Sequence, residues 1–362
     1  MSSTNDLRPG LEGVVAFETE IAEPDREGGS LRYRGIDIEE LVGEVAFEKV
    51  WGLLVDESLE PGLSASYCEL PVRTGGHMSD LQAALAIFSG HWNLKQLIDI
   101  DDKQARDDLA RLSGAALSVV AQSARGDETP VPEGEVMKGE TAAERFLLAW
   151  RGEVDERHAK AIDTYWICTA EHGLNASTFT ARVVASTGAH CGAALSSAVG
   201  ALSGPLHGGA PARVLPMLDA VAEIGDAEKW VRDALERRER IMGFGHRVYR
   251  AEDPRARLLR KTARELGSPR VEVAEALEQA ALAALAERHP ERVLATNVEF
   301  WSAVVLDVAE IPPPLAPAMF ACSRTAGWSA HTLEQKRLLP RGLIRPSARY
   351  VGPGERHLTE IG

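Results

Sequence analysis

Alanine and leucine recur at helical spacing over most of the chain, and this pattern constrains the fold more than any other feature. Aromatic residues make up only 6% of the 362 residues, whereas hydrophobic residues make up 44%, which is globular usage that provides a sizeable core. The length is sufficient for two domains. We therefore predict a mainly α-helical protein.

The predicted departure from helix lies near the N-terminus. Residues 14–22 are β-branched and alternating, residues 24–29 are turn formers, and residues 31–34 can return as a second strand, so a small β-hairpin is predicted. Asp37 and Glu40 then predict the start of a helix. Further along, residues 188–204 are almost all Gly, Ala, Ser, Val and Leu, and predict a buried helix or part of a subunit interface.

The charge of the chain is unevenly distributed. The net charge of -14 argues against a nucleic-acid-binding surface, because phosphate backbones favour a basic face. Between Arg232 and Lys261, however, ten Lys and Arg residues outnumber five Asp and Glu residues. Such a run is typical of a solvated helix face, but beside a glycine-flanked histidine it also suits a polyphosphate or carboxylate ligand.

The cysteines and the apolar runs limit the class of protein further. No run approaches about 18 apolar residues and the first ten residues lack an apolar signal core, so we expect a cytoplasmic protein with no membrane partner. The cysteines form no Cys-x-x-Cys pair, so we expect buried thiols and neither a zinc site nor disulfides. They are Cys68, Cys168, Cys191 and Cys322.

The most distinctive motif begins at residue 243 and reads Gly-Phe-Gly-His-Arg-Val-Tyr-Arg-Ala-Glu-Asp-Pro-Arg. Gly243 and Gly245 allow a close backbone approach or a positive φ, and they bracket His246, whose unperturbed pKa lies near neutrality. Arg250 and Arg255 add permanent positive charge. The motif suits an anionic ligand with a group that gains or loses a proton, and the alternative is a surface turn beside a basic helix.

Three other segments have a similar character. His172 lies in a polar cluster between helical stretches, and His207 lies in a glycine-rich turn before Pro211, which can open the next helix. The positive end of that helix would keep the imidazole of His207 neutral and able to donate to an enolate oxygen. Glu299 lies in Asn-Val-Glu-Phe-Trp, where burial would raise its pKa and make it a stronger base. Taken singly, each also has a purely structural explanation.

Together these segments resemble the citrate synthase family, which includes 2-methylcitrate synthase. The resemblance runs from Leu-Arg-Tyr-Arg-Gly at 31–35 to Arg-Pro-Ser-Ala-Arg-Tyr-Val-Gly at 345–352, and the motif at 243 matches the family signature at each constrained position. It implies an acyltransferase that condenses an acyl-CoA with oxaloacetate and hydrolyses the thioester. Coenzyme A would be a substrate, and neither a prosthetic group nor a metal is expected.

The resemblance also implies how the chain is organised. A large helical domain of residues 1–211 and 319–362 would close over a cleft against a small domain of residues 212–318. A homodimer or a higher homo-oligomer is expected.

The catalytic roles implied by the resemblance fall on three residues. His207 would stabilise the enol of the acyl-CoA, and His246 would polarise and protonate the ketone of oxaloacetate. Glu299 would be the base, where the family usually has aspartate. Glutamate has similar acidity but reaches one methylene farther, so either the backbone compensates or turnover is reduced.

The remaining residues implied by the resemblance bind the substrates. They are His172, Arg255, Arg324 and, from the partner chain, Arg345 for the carboxylates; Phe320 beside the reacting centre; and Gly243, Gly245 and Arg250 for coenzyme A.

Acetyl-CoA and propionyl-CoA remain open as substrates, because one methylene is worth only about 1 to 3 kcal/mol in a pocket. A regulatory paralogue that binds acyl-CoA or dicarboxylates without turnover is a second reading. A nucleic-acid binder that uses the basic segment is a third, and the overall negative charge argues against it.

Overall fold

The computed structural model describes residues 7–11, 13–25, 27, 29–207, 213–245, 249, 252–291, 294–357 and 359. His246, Arg250 and Pro211 lie outside the described residues. The described part of the chain is mainly helical, as predicted. Its helices are α1 (Ile38–Leu41), α2 (Phe47–Asp56), α3 (His77–His91), α4 (Asp102–Arg125), α5 (Glu133–Val136), α6 (Ala142–Arg151), α7 (Glu156–Thr169), α8 (Ala176–Ser186), α9 (Cys191–Leu202), α10 (Val214–Ile224), α11 (Ala227–Glu236), α12 (Pro254–Glu265), α13 (Val271–Arg288), α14 (Val298–Val308) and α15 (Ala316–Lys336).

A small antiparallel sheet precedes the helices, as predicted, but its strands differ from the predicted hairpin. It has three strands in the order β1 (Ala22–Pro24), β2 (Leu31–Tyr33) and β3 (Ile36–Asp37). The prediction of a strand over residues 14–22 was wrong, because only Ala22 at its end pairs with β2. The predicted helix start is confirmed, since the Asp37 side chain accepts a hydrogen bond from the backbone of Glu39 at the start of α1.

Helix α15 forms the centre of the core. It packs against α2, α4, α7, α8 and α9, and most of its residues are buried. The large side chains Trp51, Trp166, Trp301 and Trp328 are fully buried. A helix enclosed on several sides can carry functional side chains in fixed positions, and Arg324 projects from this one.

The small-residue segment forms α9, which packs against α3 and α8. A Cβ on Gly192 would lie 1.8 Å from the Ser89 Oγ and 3.1 Å from the Leu85 carbonyl oxygen, so α9 packs closely against α3 at this position. The prediction of a buried helix is therefore confirmed. The other reading, a subunit interface, stays a prediction.

Helices α10 to α14 pack mainly against one another, and α7 contacts both α12 and α14. The N-termini of α12 and α14 meet at Asp253, which caps α12 by accepting a hydrogen bond from the backbone of Arg255. The same carboxylate accepts a second one from the backbone of Val298, over 3.0 Å. These two helix starts carry Arg255 and Glu299.

The four cysteines are free thiols, and the prediction that all four are buried was wrong for Cys68. Cys168, Cys191 and Cys322 are buried and Cys68 is half-buried. Burial raises the pKa of each buried thiol. Among the helices of the described residues, none has the length and apolar character needed to cross a membrane.

One buried carboxylate gives the stability of the fold a pH dependence. Asp163 on α7 accepts a 2.8 Å hydrogen bond from the backbone of Phe47, at the start of α2, where no side chain of α2 itself caps the helix. Burial raises the pKa of Asp163 to about 7. Because the folded-state pKa lies above the unfolded value, the protonated form stabilises the fold at low pH and this contribution is lost as pH rises through 7.

We expect Asp163→Asn to remove this dependence, because the amide oxygen still accepts from Phe47 but carries no charge. At each pH, the free energy of unfolding of the wild type is subtracted from that of the variant. This difference should be about 1 to 3 kcal/mol larger at pH 8.5 than at pH 5. Urea unfolding at the two pH values measures it. Equal differences at both would show that the Asp163 carboxyl does not titrate in this range.

Candidate active site

His207 lies in a turn after α9 and is held by the first turn of α8. Its Nε2 is 3.3 Å from the backbone nitrogen and 3.0 Å from the Oγ of Ser177. The Trp328 indole donates to the same Oγ over 3.1 Å. Because a backbone N–H can only donate, Nε2 is the acceptor and the ring is neutral, with its proton on Nδ1.

The surroundings favour this neutral form. Burial lowers the pKa of His207 to about 4, and the positive charge of Arg324 acts in the same direction. The sequence assigned this effect to a helix beginning at Pro211, which lies outside the described residues. In the structure the positive helix end beside the ring is that of α8.

Glu299 is the second residue of α14. Asn297 caps this helix through a 3.0 Å hydrogen bond from the Glu299 backbone to its side chain. Burial raises the pKa of Glu299, and the charges of Arg255 and Arg240 partly oppose the rise. A carboxylate with a raised pKa is a stronger base when ionised, as the sequence predicted.

The glycine motif and the Glu299 motif are joined by backbone pairing. Gly243 accepts a 2.9 Å hydrogen bond from the Asn297 backbone, and Gly245 donates one of 2.8 Å to Ala295. Both glycines have positive φ, +91° and +82°. A Cβ on Gly243 would lie 2.7 Å from the Cβ of Phe300. The two glycines therefore also have a structural role, because their backbone contacts fix the start of α14.

Arg255 is buried at the start of α12. Its guanidinium makes two contacts with Asp253, Nε to Oδ1 at 2.9 Å and Nη2 to Oδ2 at 2.8 Å. The same carboxylate caps both α12 and α14, so the position of Arg255 is tied to that of Glu299. Asp253 is within the quoted motif but was not singled out from the sequence.

The basic segment is largely neutralised by carboxylates. Arg257 pairs with Glu39, which lies 218 residues away, and Arg260 pairs with Glu252 and Glu278. At Arg257 and Arg260, the positive charge of the basic segment is therefore paired with carboxylates and does not form an open positive surface. Arg250 lies outside the described residues.

Arg324 is buried on α15. Its Nε donates to the Thr169 carbonyl over 2.9 Å, and its guanidinium stacks over the ring of Phe320 at 4.6 Å. Burial lowers the pKa of Arg324. Nε is the only atom of Arg324 with a hydrogen bond to the described residues, so the fork of the guanidinium can receive an anionic ligand.

His172 follows α7 and contacts Tyr249 from the motif at 243. Its Nε2 lies 3.0 Å from the Tyr249 hydroxyl, and the two rings meet edge to face. Arg345 is exposed in the irregular segment after α15. Among the described members of the predicted set, Arg345 therefore lies on the surface of a single chain, and His246 and Arg250 are outside the described residues.

Several of the predicted residues influence one another's pKa through their charges. Arg324 acts on the pKa of His207, and Arg255 acts on that of Glu299. Arg255 and Arg324 both act on the buried hydroxyl of Tyr33. His207 therefore lies within electrostatic range of Arg324, and Glu299 within electrostatic range of Arg255. The sequence did not single out Ser177, Tyr249 or Arg240.

A cavity of about 450 Å³ adjoins the segment 294–296 that pairs with Gly245. Its lining combines apolar side chains of α13 with the ion pairs of Arg260 to Glu252 and Glu278. Within the described ranges, no group of three or more His, Cys, Asp or Glu side chains is arranged to hold a metal ion.

Comparison with known proteins matches residues 10–347 to the family described as citrate synthase, C-terminal domain. The Mycobacterium tuberculosis protein named "Putative citrate synthase 2" is 61% identical over 96% of this chain and 94% of its own length. The 2-methylcitrate synthase of Shewanella oneidensis is 30% identical over 97% of this chain and 96% of its own.

A solved structure gives a similar result. Citrate synthase from Thermoplasma acidophilum, in a ternary complex with carboxymethyl coenzyme A and oxaloacetate, superimposes with a TM-score of 0.82 at 26% identity. The match covers 98% of this chain and 99% of that one.

Proposed function

Because the chain belongs to the citrate synthase family, we propose that it condenses acetyl-CoA with oxaloacetate and releases citrate and coenzyme A. The observation that carries the proposal is that the chain holds both a buried carboxylate of raised pKa, Glu299, and a histidine kept neutral by its hydrogen bond from the Ser177 backbone, His207. Each is suited to one half of an enolisation: the carboxylate takes the methyl proton and the imidazole N–H stabilises the enol oxygen.

The enol carbon then attacks the ketone of oxaloacetate and forms the new carbon–carbon bond. We assign His246 to donate the proton that the ketone oxygen takes up. Water then hydrolyses the thioester, giving citrate, coenzyme A and a proton. An ordinary carboxylate is a weak base towards a thioester methyl group, so the neutral donor at His207 is essential to this scheme.

Arg324, Arg255 and His172 are proposed as ligands of the oxaloacetate carboxylates. The open fork of Arg324 supports this role most directly. Arg255 already donates a hydrogen bond to Asp253, so its positive charge would be shared between Asp253 and the substrate carboxylate. Phe320, stacked on Arg324, would limit the space beside the reacting carbon.

Coenzyme A is proposed to approach Gly243, Gly245 and Arg250. The cavity beside segment 294–296 supports this, because an apolar wall from α13 suits the pantetheine arm. We further propose the division into a large domain of residues 1–211 and 319–362 and a small domain of residues 212–318. The mutual packing of α10 to α14 supports that division.

A homodimer is proposed, with Arg345 reaching the site of the partner chain. Its exposure in a single chain supports this role, because a residue that serves another copy needs no partner in its own. A cytoplasmic location is also proposed.

Propionyl-CoA is the alternative acyl donor, and the similarity to the Shewanella 2-methylcitrate synthase favours testing it. Specificity constants for acetyl-CoA and propionyl-CoA, measured as thiol release with saturating oxaloacetate, decide between the two. If neither acetyl-CoA nor propionyl-CoA releases thiol, the enzyme proposal is contradicted. Binding of oxaloacetate without turnover would support a regulatory paralogue.

Ser177→Ala should lower kcat about fivefold, because the hydroxyl bond to His207 is lost while the backbone N–H still fixes the tautomer. Thr178→Val is the matched control, since the neighbouring Thr178 hydroxyl is buried without a hydrogen-bond partner among the described residues. Steady-state rates test both. An equal loss in the two variants would mean that His207 does not depend on the Ser177 hydroxyl.

A further inference from the structure

Glu171 is a buried charge that the proposed reaction does not use. It is fully buried, and neither carboxylate oxygen has a hydrogen-bond partner among the described residues. It packs against Gly327 of α15, where a Cβ would lie 1.8 Å from its Oε2. Arg324 stands about one turn before Gly327 on that helix, and His331 about one turn after. The carboxylate of Glu171 therefore faces the stretch of α15 between these two side chains.

A chain of polar side chains adjoins the carboxylate on one side. His331 Nε2 lies 3.4 Å from Glu171 Oε1, and its Nδ1 lies 3.0 Å from Arg182 Nη1. Because a guanidinium only donates, Nδ1 is the acceptor and the ring is neutral. Its Nε2 lies beside the Glu171 carboxylate but makes no hydrogen bond to it. The charge of Arg182 is matched by a separate ion pair with Glu334.

On its other side the carboxylate lies near Arg324, whose Nε donates to the carbonyl of Thr169, two residues before Glu171. Burial lowers the pKa of Arg324, and the charge of Glu171 opposes that effect. A buried charge without a counter-charge is strongly destabilising. In the empty site, Glu171 supplies that counter-charge. A bound dicarboxylate would bring a second negative group to Arg324, and this group and Glu171 repel each other.

We propose that Glu171 is a positioning residue that acts through Arg324. Its carboxylate balances Arg324 in the empty site, and in the occupied site it weakens the attraction for carboxylates so that the product leaves. This inference rests on the proposed function, in which Arg324 binds a substrate carboxylate.

Glu171→Gln tests the inference, because glutamine keeps the size of the side chain and an oxygen facing His331 but removes the charge. We expect the calorimetric Kd of oxaloacetate to fall about tenfold, and the inhibition constant of citrate to fall at least as far, since citrate carries one more negative charge. A purely structural role would weaken binding. An unchanged or higher Kd overturns the proposal.

Purification in the presence of oxaloacetate guards against misfolding, because the ligand supplies the missing negative charge. The Tm of the variant should be lower than that of the wild type without ligand, and oxaloacetate should raise it by a larger increment. A variant that cannot be purified even with oxaloacetate contradicts the proposal.

Glu334→Gln is the matched control, since it removes the carboxylate at the far end of the same chain. It should lower the Tm and leave the Kd of oxaloacetate within about twofold, because Glu334 pairs with Arg182 and not with Arg324. Equal tightening in both variants would mean that the effect is one of net charge, and would overturn the proposal.

Arg324→Gln separates this inference from the proposed function. If it leaves the Kd of oxaloacetate unchanged, the assignment of Arg324 as a carboxylate ligand fails. If it weakens binding while Glu171→Gln does not tighten it, only the role of Glu171 fails.

Discussion

We expect replacement of Glu299 by glutamine to lower kcat about a thousandfold and to leave the Kd of oxaloacetate within about threefold. The amide has nearly the size of the carboxylate but cannot take the methyl proton of the acyl-CoA, and a positioned general base contributes about 100- to 10,000-fold. The Asn297 cap at the start of α14 bonds the backbone of residue 299 and does not depend on its side chain. Thiol-release rates and calorimetry measure the two quantities.

Glu299→Asp is the control for this prediction. It keeps the charge and withdraws it by one methylene, to the side chain that the family usually has, so activity should be kept or raised. Full activity in Glu299→Gln would exclude Glu299 as the base. An inactive Glu299→Asp beside an inactive Glu299→Gln would show that the longer reach of glutamate is itself required.

We expect replacement of Arg324 by glutamine to raise the Kd of oxaloacetate about a hundredfold, because removing one partner of a buried charge pair typically costs about 2 to 5 kcal/mol. The Tm should fall as well, since Glu171 loses its counter-charge. Isothermal calorimetry and thermal unfolding measure the two effects.

Arg324→Lys is the matched control. It keeps the charge but loses the planar fork and the stacking over Phe320, so its Kd should lie between those of the wild type and Arg324→Gln. A Kd for Arg324→Gln equal to that of the wild type would contradict the assignment of this residue.

The helical architecture could be predicted from the sequence because the spacing of alanine and leucine reports which face of each helix is buried. The strand predicted over residues 14–22 was wrong because alternation shows only that a segment can form a strand. Pairing requires a partner, and β2 has only three residues to offer. That information is not local.

The candidate site, like the fold, could be predicted from the sequence only in part. The resemblance to the citrate synthase family is confirmed, whereas the roles assigned to His207 and Glu299 stay predictions. The partners of these residues could not be predicted, because they are distant in sequence. Ser177 lies 30 residues from His207.

Charge compensation between residues distant in sequence shows most clearly what the sequence alone could not predict. The basic segment has a positive excess in the sequence, yet Arg257 finds its carboxylate on Glu39, 218 residues away. Glu171 stands beside His172 in the sequence, but its relation to Arg324 and His331 depends on α15 packing against the turn after α7. Only the tertiary structure brings these groups together.

The most direct test of the proposed condensation is the fate of labelled acetyl-CoA. Purified protein is incubated with acetyl-CoA carrying ¹³C in both acetyl carbons, with and without oxaloacetate, and citrate and free thiol are quantified together. The account predicts doubly labelled citrate in a one-to-one ratio with free coenzyme A, formed only when oxaloacetate is present. Thiol release that is independent of oxaloacetate, or that yields labelled acetate in place of citrate, would contradict it.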